Sequence, residues 1–459
     1  MKPATHLSYI NLFDIVGPVM IGPSSSHTAG AAKIGQAAYT LLEEEPKKIR
    51  IKLYNSFSDT GKGHKTDLAV LGGCIGIGAE DEQLLFSQKI ADEKKLDYKI
   101  KWGYHSLDLH PNTAIIDLVG NNHKVGVVGY SIGGGRIEIA KKFKTAINNG
   151  SENINIDDFS ANQNKKSKKN SESYFSFNEL ASKTNTSKQF LDLLLTIQEI
   201  SFGQSRDEII KEFLRRWQIM VRSVSKGMSN YQRSENKMFG GDAYRIRRSK
   251  LNILSEEIEK GVFYSIGVSE HNARMGKIVA SPTAGAAGIT PGVLRSMQEK
   301  FFYSDEKMAE ALTVAAGVGA IIANKTALAG AVGGCQAEIG AAGAMTAAAG
   351  VYLLNGKVEA IEAAASLVLA NLLGLTCDPV MGLVEVPCIL RNGMISSMVF
   401  TAIEIALDGV RYTIPFDEVV DVMKKVGDDM HTAYKETSKG GLAQTATAKT
   451  LCSGCQRCG

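Results

Sequence analysis

Apolar and polar residues alternate strictly along Lys48–Tyr54 (KIRIKLY), a period of two that predicts a half-buried strand. The same reading gives strands at 97–103, 113–119 and Val125–Ser131, and RIEIA (136–140) continues the alternation. Between these runs the period changes. Apolar positions from Ala29 to Leu42 recur at helical spacing, with Ser24–Thr28 as the helix start, and Leu68–Ile77 is a second apolar helix. A short helix is expected around Leu12–Ile15. Strands mixed with helices make residues 1–144 an α+β domain.

Residues 145–175 are rich in Asn, Lys and Ser and poor in apolar residues, which predicts a disordered linker with no room for a further folded domain. From Asn178 onward the period is helical: Phe190–Glu199 and Glu208–Ser225 are amphipathic, and Gly261–Met275, Glu359–Leu373 and Pro415–Val426 follow. The Pro- and Gly-dense run SPTAGAAGITPG (281–292) predicts a loop lining something or a tight turn. Residues 310–354 are so dense in Ala and Gly that a membrane span is the rival reading. Asn324, Lys325, Gln336 and Glu338 interrupt the run, and each is costly in hydrocarbon. The expectation is therefore an all-α domain over 176–445, followed by a flexible cysteine-rich tail at 446–459.

Composition narrows the function classes. With 44% hydrophobic and 22% charged residues the chain is ordinary for a globular protein, and its 459 residues can build two or three sizeable cores. A formal charge of +4 without a basic face or aromatic–basic repeat gives no reason to expect a nucleic-acid partner. Seven cysteines, three at 335–388 and three in the last eight residues, do not form a disulfide framework. With no basic stretch leading into an apolar core near the start, a reducing, cytoplasmic setting is expected.

The candidate chemistry sits at breaks in regular structure. Cys335 follows Gly333-Gly334, Cys377 precedes Asp378-Pro379, and Cys388 follows Pro387. Three thiolates drawn from three turns form a soft-metal site for zinc or an iron–sulfur cluster. Three ligands instead of four leave a metal position open, as catalytic sites do. The serine cluster Ser24, Ser25 and Ser26 combines hydroxyls with a helix start, a setting for a carboxylate. His64 stands at another helix start, crowded by Lys62, Lys65 and Asp67. Two apparent motifs fail. The GK pair at 61–62 lacks the P-loop glycine at 56 and the Ser or Thr at 63. The segment Gly-Tyr-Ser-Ile-Gly (129–133) imitates a nucleophile elbow, but glycines and an alternating run follow Ser131 where a helix is required. The tail spacing Cys452, Cys455, Cys458 imitates three ligands of a ferredoxin run and stops before a fourth.

The segments GGCQAEIG (333–340), GLTCDPVMGLVEVPCILRN (374–392), SPTAGAAGITPG (281–292) and ETSKGGLA (436–443) resemble the catalytic domain of iron–sulfur L-serine dehydratases, also called L-serine ammonia-lyases. IGPSSSHTAGAA (21–32), TGKGHKTD (60–67) and YSIGGG (130–135) resemble that family's other domain. The resemblance implies that Cys335, Cys377 and Cys388 hold a [4Fe–4S] cluster with one iron free for substrate. It implies deamination of L-serine to pyruvate and ammonia by dehydration, without pyridoxal phosphate. His64 and His27 are then the candidate bases, and Ser24, Ser25, Ser26 and Thr283 the candidate holders of substrate carboxylate or amine. Cys458 is a candidate ligand of the free iron in the resting enzyme. A homodimer with L-serine as its small-molecule partner and no membrane association is expected. Two rival readings are a serine hydrolase built on Ser131 and a non-enzymatic zinc or redox module.

Overall fold

The computed structural model describes residues 10–104, 109–147, 176–229, 231–234, 238–249, 251 and 253–453. They fall into two compact units, residues 24–147 in one and residues 10–23 with 176–453 in the other. Seven strands occur among them: β1 (Val19–Ile21), β2 (Lys48–Asn55), β3 (Asp97–Gly103), β4 (Asn112–Val119), β5 (His123–Gly133), β6 (Arg136–Ala146) and β7 (Lys277–Val279).

In the N-terminal unit five strands form a sheet of order β3-β2-β4-β5-β6. β2 pairs with β3 in parallel, and the other neighbours are antiparallel. The alternation read in the sequence is the alternation of burial: Ile49, Ile51 and Leu53 of β2 are buried, opposite Leu118, Ile116 and Ala114 of β4. Helices Ala31–Leu42 and Thr66–Cys74 pack against each other through Gly35 and Gly73. A Cβ at Gly73 would lie 2.8 Å from the Gln36 backbone nitrogen, so the contact exists only because the side chains are absent.

The other unit is helical, and its core is the Ile339–Leu353 helix, buried at every position. Asp305–Lys325, Val358–Ala370, Cys388–Leu407 and Ile289–Phe301 pack round it. Small residues permit that crowding: a Cβ at Gly343 would meet Val368, and one at Gly350 would meet Met297 and Ile403. The Ala- and Gly-dense run 310–354 is thus two core helices joined at 326–338. One helix among the described residues, Cys388–Leu407, is long and apolar enough to cross a membrane, and half of it is buried in the protein.

Three expectations need correction. Residues 10–23 do not belong to the N-terminal unit. Their strand β1 pairs antiparallel with β7, and Leu12, Ile15 and Val16 join the helical core. Arg216 fastens them by donating to the carbonyls of Phe13 (2.7 Å) and Val16, and Gln198 binds Leu12 and Asn11. The expected linker start at 145 falls inside β6, which runs to Ala146 because its pairing with β5 continues to His123; residues 148–175 lie outside the described residues. The tail is not uniformly flexible either. Ala446–Ser453 is a helix started by Thr445, whose hydroxyl accepts from the Ala448 N–H (3.3 Å).

Candidate functional site

Each unit contains one candidate centre. In the helical unit it is built on turns that only glycine and proline allow. Gly334 adopts φ +74° and delivers Cys335 to the start of the Ile339–Leu353 helix. Cys377 lies on a short extended stretch whose N–H donates to Tyr434 O and whose carbonyl accepts from Glu436 N–H, both at 2.8 Å. Cys388 is the first residue of the Cys388–Leu407 helix, where the helix dipole favours a thiolate. All three are buried, at 2%, 5% and 9% exposure.

The three sulfurs sense one another. Cys377 hydrogen-bonds the Cys335 thiolate and pulls its pKa down, against burial, and the Arg391 guanidinium helps. Cys377 is pushed well up, first by holding that bond and then by burial. Cys388 is pushed well up by burial and next by the Cys335 charge. Around them stand two carboxyls. Burial raises Glu338, opposed by the Thr283 hydroxyl and the Gly330 N–H. Burial, and then the charges of Glu338 and Cys335, raise Glu436 to about 8. Gly330 must lack a side chain, because a Cβ would lie 2.8 Å from Glu338 Oε2 and 2.9 Å from Cys377 Sγ. Arg391 donates to Thr376 O (3.0 Å) and pairs with Asp378 (3.7 Å), whose other oxygen accepts from the Leu442 N–H (2.8 Å).

Thr283 sits in the 281–292 loop, which Asn392 clamps by donating to Gly285 O (2.8 Å) and accepting from Gly288 N–H (3.1 Å). The Thr283 hydroxyl faces Glu338 closely enough to favour its charge, yet it makes no hydrogen bond of ordinary geometry. Among the described residues, no three His, Cys, Asp or Glu side chains close on a single metal ion. An iron–sulfur cluster asks for something different, since its thiolates bind separate irons. Buried soft donors at bends, with the carboxyls of Glu338 and Glu436 and the Arg391 guanidinium beside them, fit such a group in donor chemistry.

The second centre belongs to the N-terminal unit. Ser24 caps a π-helical turn, Ser25–Gly30, that runs into Ala31–Leu42. His27 is fully buried on this turn, and burial lowers its pKa to about 4. Its Nδ1 lies 3.0 Å from Ser26 Oγ and its Nε2 lies 3.1 Å from Ser56 Oγ. His64 packs against it with ring centroids 4.7 Å apart. His64 is also fully buried, and neither of its ring nitrogens has a partner among the described residues. Burial, then the neighbouring His27, lowers its pKa well below the ordinary value. The charged residues expected to crowd it are not its partners; the ring turns inward while Lys62 stays exposed. The Thr28 hydroxyl fixes the turn by donating to His64 O (2.8 Å).

Ser131 lies within β5, which runs on to Gly133 and turns through three positive-φ glycines into β6. Its buried hydroxyl has no partner, and no helix follows it, so the hydrolase reading fails. Cys455 and Cys458 lie outside the described residues, as does the Cys452 side chain. Sequence reasoning missed Glu338, Glu436, Arg391 and Ser56. The first three stand inside the quoted motifs, and for Glu338 and Arg391 their place three residues after Cys335 and Cys388 was the available signal. Ser56 carried none.

Comparison with known proteins divides the chain near residues 141–142 and puts residues 10–23 with the N-terminal region. Residues 8–142 match the family described as serine dehydratase beta chain, and residues 141–443 match serine dehydratase alpha chain. The chain is 31% identical to L-serine dehydratase 1 of Escherichia coli, covering 95% of this chain and 98% of that one. It is 30% identical to L-serine dehydratase of Streptomyces coelicolor, with the same coverage. A probable L-serine dehydratase alpha chain of Bacillus subtilis is 39% identical over 58% of this chain and 89% of its own length.

Proposed function

The chain belongs to the serine dehydratase family, with its beta-chain and alpha-chain regions in one polypeptide, and on that premise we propose that it converts L-serine to pyruvate and ammonia by dehydration. The observation that carries the reading is the set of three buried, mutually interacting thiols beside Arg391 and two shielded carboxyls. Cys335, Cys377 and Cys388 would hold a [4Fe–4S] cluster, which when bound supplies a Lewis acid that eases loss of the substrate hydroxyl.

The protein's own groups supply the proton chemistry. His64 is the proposed base for the α-proton. It is neutral at pH 7, and its unpartnered nitrogens leave a lone pair available. His27 has both nitrogens occupied by hydroxyls and is the weaker candidate. Ser24, Ser25, Ser26 and Thr283 are proposed to hold substrate carboxylate or amine; the buried Thr283 hydroxyl faces Glu338 without a hydrogen bond of ordinary geometry. Loss of the α-proton and of hydroxide leaves aminoacrylate, which hydrolyses to pyruvate and ammonia. Cys458 is proposed to cap the open iron before substrate arrives, and the protein to work as a cytoplasmic homodimer.

Anaerobic iron and sulfide analysis beside a pyruvate assay with L-serine tests the reading. The expected result is iron and sulfide in equal amounts with pyruvate formed. A colourless protein holding only zinc, or an iron–sulfur protein inert on serine, would overturn it.

A further inference from the structure

The hydrogen bonds round His27 have a direction that can be worked out. The His27 backbone N–H donates to Ser24 Oγ (3.1 Å), so the Ser24 hydroxyl hydrogen is left to point elsewhere. Its available acceptors are Ser26 Oγ at 3.3 Å and His27 Nδ1 at 3.5 Å, and the nearer is Ser26. The Ser26 hydroxyl then donates to His27 Nδ1 at 3.0 Å. With Nδ1 protonated instead, one of the two serine hydrogens would be left without an acceptor among the described residues in a buried place, which is costly. With Nδ1 accepting, a neutral ring carries its hydrogen on Nε2 and donates it to Ser56 Oγ (3.1 Å).

Ser56 is held to receive that hydrogen. It follows directly on β2, and its N–H donates to Pro111 O (2.9 Å) while its carbonyl accepts from Thr60 Oγ1 (3.1 Å). The preceding Asn55 adopts φ 54°, ψ −119°, a conformation that L residues rarely take. Strain of this kind persists where surrounding structure enforces it, and here it turns the chain from the strand so that Ser56 meets His27. The ring is fixed on its faces too, by Phe57 at 5.3 Å and His64 at 4.7 Å between centroids. His64 has no hydrogen bond of its own to orient it, so its placement depends on the surface His27 presents.

We infer that Ser56 is a positioning residue: with Ser26 it clamps the His27 ring by both nitrogens in the Nε2–H tautomer, and so sets the orientation of His64. The inference rests on the reading of His64 as the base. It also divides the serine cluster, because Ser24 and Ser26 serve His27, whereas the Ser25 hydroxyl makes no hydrogen bond among the described residues and is left for a ligand.

The test is the His27 tautomer, read from two-bond nitrogen–proton spectra of the full chain labelled in histidine and assigned with His27→Gln. The expected result is a single Nε2–H tautomer that does not titrate between about pH 5.5 and 8. Ser56→Ala should mix the tautomers and lower kcat roughly tenfold, the scale of a small misplacement of a catalytic group, with KM within about twofold. Ser56→Thr, which keeps the hydroxyl, should restore both. A wild-type His27 that carries its hydrogen on Nδ1, or that titrates near its ordinary pKa, would overturn the inference without any variant. So would Ser56→Ala with unchanged kcat, whatever its tautomer. A wild-type chain inert on serine would overturn the proposed reaction instead, while the tautomer can still be measured.

Discussion

At the centre in the N-terminal unit the paired titratable groups are bases, His27 and His64, and burial favours their neutral forms. At the thiol centre of the helical unit they are acids: burial raises Cys388, Glu338 and Glu436, and Cys377 is raised first by its bond to Cys335 and then by burial. The two histidines bear on each other, and His27 lowers the pKa of His64 after burial does. The thiol centre sets the Arg391 guanidinium beside Cys335, Cys388 and Asp378. A cluster of neutral bases is ready to receive a proton. A cluster of crowded acids with too little positive charge is ready to receive a metal, which releases protons as it binds. The same physical agent, loss of solvent, therefore prepares one centre for proton transfer and the other for a cationic cofactor.

The largest test of this contrast removes a thiol. Cys335→Ala, Cys377→Ala or Cys388→Ala should lose bound iron and pyruvate formation together, leaving only background in both assays. His64→Ala should lower kcat by ~10²-fold or more and leave the cluster absorption unchanged, so that chemistry and cofactor separate between the units.

Stability against pH sharpens the contrast, because the two centres should respond with opposite sign. His27 has a folded pKa of about 4 and an unfolded one near 6.5. Between these values the unfolded chain binds more protons, so stability falls as pH falls below about 6.5, by about 3 kcal/mol in full. His64 acts in the same sense. Glu436 has a folded pKa of about 8 against 4.5 unfolded, so in the cluster-free chain its contribution is present at low pH and lost as pH rises from about 4.5 to 8. Thermal melts of the cluster-free protein across that range should show His27→Gln flattening the acid side and Glu436→Gln flattening the alkaline side. The smallest effect belongs to Gly35→Ala, which forces a methyl between two helices and should cost about 1–2 kcal/mol, read as a lower Tm.

Much of the contrast is legible in the order of residues alone. Strict alternation places β2 because one face of a sheet is buried and the other is not. Glycine and proline beside each cysteine mark the turns that deliver the thiols. What stays hidden depends on contacts distant in sequence. Three apolar residues at Val19–Ile21 carry no period, and nothing local announces that their partner strand is Lys277–Val279. Glu338, Glu436 and Arg391 look like surface residues, since charge usually means solvent, and only the packed fold withdraws them from water. His64 stands among charged neighbours in sequence, whereas its surroundings in space are set by the Ser25–Gly30 turn. The cap at Thr445 is a local signal, and it outweighs the looseness that the tail's glycines suggest.

The pairing of β1 with β7 also orders events in time. Residues 10–23 leave the ribosome well ahead of the strand they complete, which is made about 260 residues later, a wait on the order of half a minute at ordinary synthesis rates. Through that interval the N-terminal unit can close on its own, while Leu12, Ile15, Val16 and the edge of Val19–Ile21 stay without their burial partners. Residues 10–23 are therefore a sticky segment that waits while the N-terminal unit is made. A chaperone or a neighbouring nascent chain has its best opportunity there, before the helical unit returns to collect it.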